Sequence, residues 1–161
     1  MDFQQRLEKA IQRGQQASSD RAKAEAQRAL TEKELKRLHS QYRLELSEHI
    51  EECLQQLADR FPGFRFETIV DTRGWGGAIS RDDLRPRSSQ RRRSCFSRLE
   101  MIVAPVSSSF ILELSAKATV CNRELFSRNH YQRLVEIDLP AFTEVVDLWS
   151  LEYAEHYAAE R

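Results

Sequence analysis

The chain has 161 residues, with 25 Lys and Arg balancing 25 Asp and Glu, 40% hydrophobic residues and 31% charged ones. This is the composition of about one ordinary folded domain and excludes collagen-like, disulfide-dense and wholly disordered classes. The longest uncharged apolar run, Met101 to Leu112, is interrupted by Pro105 and three serines, well short of the ~20 apolar residues that cross a bilayer.

The opening Met-Asp-Phe-Gln-Gln-Arg has neither a basic n-region nor an apolar h-region. A cytoplasmic location with no membrane partner is therefore expected. Residues 1–60 contain one glycine, Gly14, and no proline, and consist mainly of Gln, Glu, Lys, Arg, Ala and Leu, which lose least on entering a helix. From Leu35 onward, Leu38, Tyr42, Leu46, Ile50, Cys53, Leu57 and Phe61 recur every three or four residues, the spacing of one buried helical face. Phe3, Leu7 and Ile11 form a smaller cluster at the start, and between Gln12 and Lys33 the only apolar side chains are alanines and Leu30. An unbroken helix from Asp2 to Arg60 would measure ~88 Å, so the segment is expected to project, pair with another helix as in a coiled coil, or break. Gly14 to Asp20, with two serines and an aspartate, is the expected place for a break. Phe61-Pro62-Gly63 ends the helix, since Pro62 disfavours αR in its predecessor and Gly63 permits a left-handed turn.

Beyond Gly63 the period changes to two. Phe64 to Val70 reads as a strand, Gly74-Trp75-Gly76-Gly77 as a turn and Ala78 to Leu84 as a short return strand. Phe96 to Val106 and Phe110 to Cys121 flank Ser107-Ser108-Ser109 as an antiparallel hairpin. In the second of these Phe110, Leu112, Leu114, Ala116, Ala118 and Val120 alternate with polar residues, giving one dry face. Residues 122–137 fit loop, short helix or strand equally. From Asp138, with Pro140 in the first turn, the chain reads as helix to Ala159, with Phe142, Val145, Val146, Trp149, Tyr153 and Tyr157 on one broad face. The expected fold is α+β: a long N-terminal helix, an antiparallel sheet of about four strands and a C-terminal helix packed on it. Residues 1–34 are expected to form a projecting or self-associating helical segment and residues 35–161 the α+β body.

Charge is unevenly distributed. Residues 1–60 carry 11 basic and 11 acidic side chains, residues 61–98 carry 9 and 4, and residues 99–161 carry 5 and 10. The positive excess lies in Arg85, Arg87, Arg91, Arg92, Arg93 and Arg98, a stretch without an acid. Arginine forks match phosphate oxygens, so this segment, with Trp75 and Phe96 as stacking faces, is a candidate nucleic-acid or anion site. The competing reading is a solvated loop whose arginines pair with Asp82, Asp83 or the acidic C-terminal third; no RRM, KH or helix-turn-helix signature accompanies it.

Other chemical motifs are sparse. Gly74-Trp75-Gly76-Gly77 begins like a dinucleotide loop, but Ile79 stands where the third glycine belongs. Cys53, Cys95 and Cys121 are odd in number and lack a CxxC spacing, and they are expected as free thiols. His49 and Cys53, four apart beside Glu45 and Glu52, are weak metal candidates, a buried Cys and a neighbouring His being the simpler reading. Cys121 with Asn122, Glu124 and His130 is the best thiol constellation, without any spacing that tests it. No cofactor is implied. The expected function is a non-enzymatic interaction or adaptor module, forming a homo-oligomer or binding a helical partner through Phe3, Leu7, Ile11, Leu30, Leu35 and Leu38. Nucleic-acid binding through residues 85–98 is the alternative, and an enzyme or small-molecule binder using a pocket on the sheet face is the residual one.

Overall fold

The helix formers of the N-terminal sequence build a single helix, α1, from Phe3 to Arg60 in a computed structural model of the chain. The structure describes residues 2–86 and 92–160, and the side chains of residues 27, 30, 84–86, 92 and 93 lie outside that description. Asp2 caps α1: its carboxylate accepts a hydrogen bond from the Gln5 N–H at 2.9 Å, satisfying one of the donors that a helix start leaves orphaned. The break expected between Gly14 and Asp20 does not occur. One glycine costs about 1 kcal/mol against alanine, which strong helix formers on both sides outweigh, and Gln16 Nε2 bridges to Asp20 Oδ1 at 3.1 Å along the helix.

The chain divides into two units, Met1–Arg37 and Leu38–Arg161. In the first, no described residue is buried, and Leu35 alone is half-buried. The second contains an antiparallel meander of five strands in chain order: β1 (Arg65–Asp71), β2 (Gly74–Pro86), β3 (Arg92–Val103), β4 (Ile111–Val120) and β5 (Arg123–Arg133). A 3-10 turn, Leu134–Glu136, leads to helix α2, Leu139–Ala159. Asp138 caps α2 through the Ala141 N–H. The α+β class and the helix-on-sheet arrangement match expectation, and the sheet has five strands rather than four. The extra strand is β5, in the stretch the sequence left open. Phe126 is its one buried residue, and a register irregularity beside Ala118 and Thr119 breaks its alternation, as suits a polar edge strand.

Cross-strand partners share a face, which shows where the helices lie. Gly77, Met101, Ala116 and Arg128 form one row across the sheet. At one end of that row Gly77 abuts Leu54 of α1, and at the other Arg128 pairs with Glu152 of α2. Both helices therefore cover the same sheet face. Between helices and sheet, Leu46, Ile50, Leu54, Leu112, Leu114, Phe142 and Tyr153 are fully buried. Phe61 and Phe64, flanking the Pro62-Gly63 reversal, meet Tyr157 edge-on at 4.9 and 4.8 Å and lock the end of α1 to α2.

Two local expectations are corrected. Gly74 to Gly77 lie within β2, and the turn is at Thr72 and Arg73. The glycines serve close approach instead, since a Cβ at Gly77 would stand 3.1 Å from Leu54 Cδ1. Cys95 and Cys121 form a disulfide, leaving Cys53 free. No CxxC spacing announces the pair: the β3–β4 register, which ends at Arg98 opposite Thr119, brings the two cysteines together. No helix of the described residues is long and apolar enough to cross a membrane.

Candidate functional site

His49 and Cys53 stand one helical turn apart on α1, on the flank facing α2, where Asp147 meets them. His49 Nε2 lies 2.7 Å from Asp147 Oδ1, Cys53 Sγ lies 3.6 Å from the same ring nitrogen, and the thiol donates to Asp147 Oδ1 at 3.4 Å. The three side chains are half-buried. Burial, the hydrogen bond to Asp147 and the charges of Asp147 and Glu52 push the Cys53 thiol up to about 12. It is therefore protonated at neutral pH and a poor nucleophile. A relay needs the imidazole to face the thiol with one nitrogen and its orienting acid with the other, whereas here both crowd one nitrogen. The arrangement is suited to presenting a sulfur, a nitrogen and an oxygen to one point.

Cys53 and Asp147 also line a groove of about 550 Å³ between α1 and α2. Its walls are largely apolar, with Leu57, Phe61, Leu151 and Ala154, and Gln56 and Arg60 supply polar groups. The groove takes its lining from α1, Phe61 and α2, and none from the sheet. Of the acids weighed around His49 and Cys53, Glu45 and Glu52 do not join the cluster. Asp147 does, 98 residues from His49, a partner only tertiary structure supplies.

The other candidates are dispersed. Arg87 and Arg91 lie outside the described residues, and Arg85 and Arg93 are register partners near the end of the β2–β3 ladder, with Arg92 opposite Pro86. Arg98 faces away from the helices and pairs with Glu67 at 2.8 Å and Glu100 at 3.2 Å, in a network that Arg73 extends to Asp71. Trp75 sits at the opposite end of β2 from Arg85, half-buried, with the Arg43 guanidinium 3.6 Å above its ring. Cys121 is in the disulfide and His130 packs edge-on against Phe142, which overturns the thiol-nucleophile reading. On α1, Phe3, Leu7 and Ile11 are exposed and Leu35 and Leu38 half-buried; the Leu30 side chain lies outside the described residues.

Sequence reasoning passed over His39, which is buried with Nε2 unpartnered among the described atoms. Burial, then the nearby Arg43 charge, hold its pKa below the ordinary value, against an opposing backbone hydrogen bond at Ala104. The unfolded chain thus binds a proton near pH 6.5 that the folded chain resists. Stability should be full above that value, decline as pH falls below it, and complete its loss once the depressed folded pKa is passed. Urea midpoints between about pH 7 and pH 5 should fall for the native chain, and the decline should flatten in His39→Leu.

Comparison with protein-family models, curated proteins and solved structures finds no match for this chain.

Proposed function

We propose that this protein is a non-enzymatic interaction module that self-associates through the N-terminal part of α1. The carrying observation is the exposure of Phe3 (78%), Leu7 (46%) and Ile11 (51%), one turn apart on a stretch in which no described residue from Asp2 to Arg37 is buried. Helices draw most of their stability from packing an apolar face, and isolated ones are marginal in water. A second copy suits the face, because residues 2–37 carry charges of both signs, 9 basic and 6 acidic. A two-fold contact sets a surface against itself, which a single-sign helix would resist.

Nucleic-acid binding draws no comparable support from the described residues. Arg98 is engaged by Glu67 and Glu100, and one face of Trp75 is covered by Arg43.

Light scattering on the eluting protein tests the reading. The native chain should show twice its 18.8 kDa mass, and the pair Leu7→Asp and Ile11→Asp should weaken association by roughly ten-thousandfold or more, since four apolar side chains per dimer are lost at about 1.5–3 kcal/mol each and each 1.4 kcal/mol is about tenfold. Near-ultraviolet dichroism of the variant should match the native body. A monomeric native chain across the concentration range would refute self-association.

A further inference from the structure

The geometry points to a binding site for a zinc-class divalent cation at His49, Cys53 and Asp147, with its open coordination position on the groove between α1 and α2. The inference is independent of self-association, since all three ligands come from one chain.

Tetrahedral zinc with bonds of about 2.3 Å to sulfur and about 2.0–2.1 Å to nitrogen and oxygen sets its ligand atoms about 3.5 Å apart for the sulfur edges and about 3.3 Å for the nitrogen–oxygen edge. The observed sulfur edges are 3.6 Å to His49 Nε2 and 3.4 Å to Asp147 Oδ1. The nitrogen–oxygen edge is 2.7 Å, and the Asp147 side chain, 45% exposed, has room to open by the difference. His49 and Cys53 are already aligned by the helical repeat, so only a rotation about Asp147 is required. A thiolate with an imidazole favours zinc and its neighbours over magnesium or calcium, which take oxygen ligands. Binding forms the metal–sulfur bond and releases the thiol proton to solvent; His49 Nε2 gives its lone pair to the ion, with the neutral ring's proton held at Nδ1. Cys53 and Asp147 both line the groove, so a fourth ligand, water or a side chain of a bound molecule, enters from there.

Cobalt(II) titration of the full chain with the Cys95–Cys121 disulfide intact tests the site, because Cys53 is then the free thiol. The expected result is a sulfur-to-cobalt charge-transfer band with intense visible bands of four-coordinate cobalt, saturating at one equivalent and abolished by zinc. The charge-transfer band should vanish in Cys53→Ala, and Asp147→Asn should weaken binding roughly tenfold or more. Far-ultraviolet dichroism checks that both variants fold; if Cys53→Ala does not, the native spectrum and Asp147→Asn decide. A native chain with no sulfur-to-cobalt band, or a band that persists in folded Cys53→Ala, would overturn the proposal and leave a metal-free hydrogen-bonded cluster.

Discussion

Reducing the Cys95–Cys121 disulfide is expected to lower the stability of the Leu38–Arg161 unit by about 3–4 kcal/mol. The two cysteines are 26 residues apart, and in the chain-entropy account a cross-link of that length restricts the unfolded chain by this amount. The bond joins the first half of β3 to the β4–β5 turn, where Cys121 and Asn122 both take left-handed φ values of 46° and 68°. Asn122 secures the same junction: its side chain accepts from the Phe96 N–H at 3.1 Å and donates to the Ser94 carbonyl at 2.6 Å, while its own N–H donates to the Phe96 carbonyl at 2.8 Å. These bonds should keep the turn in place after reduction, so the loss should appear as a lower urea midpoint and not as a change of fold. Cys95→Ser should show the lower midpoint in both redox conditions. Equal midpoints for oxidised and reduced native protein would remove the disulfide from the stability of this unit.

Gly76→Val should be at least as damaging, at about 3 kcal/mol or more. A Cβ at this position would fall 1.9 Å from the Met101 carbonyl oxygen and 2.9 Å from Ile102 Cα. Both are backbone atoms of the adjoining strand, which cannot turn aside as a flexible side chain can. Gly76 is paired with Ile102 in the β2–β3 ladder, beside the small buried cluster of Ile69, Ala78 and Ile102 on the face away from the helices. Relief of the overlap must therefore separate two central strands. A Gly76→Val midpoint equal to the native one would contradict this account of the β2–β3 ladder.

Where a residue type and its local period act together, the fold was readable from the chain. Helix formers without proline announced α1, the spacing from Leu46 through Ile50 marked its buried face, and the strict alternation of Leu112 to Val120 marked β4, whose residues alternate between buried and more exposed as expected. Reading failed where long-range placement decides. The inward-facing Arg128 and His130 make β5 look like a loop, yet one pairs with Glu152 and the other packs on Phe142. Gly74 to Gly77 carry turn chemistry in isolation, and only the nearness of Met101 and Leu54 explains them as strand residues. The candidate site was half visible. The four-residue spacing put His49 and Cys53 on one helix flank, but Asp147 is one of several acids on α2, and nothing local distinguishes it from Glu144 or Glu155. The disulfide had no local signal at all, since its two cysteines meet through strand register.

Self-association requires that residues 3–37 hold their helix by packing on a second copy. Far-ultraviolet circular dichroism of the full chain on serial dilution, read alongside the mass by sedimentation, measures this directly. Helix content should fall as dimers dissociate, with near-ultraviolet signals of the body unchanged. A monomer whose helix content stays constant at every concentration would contradict it.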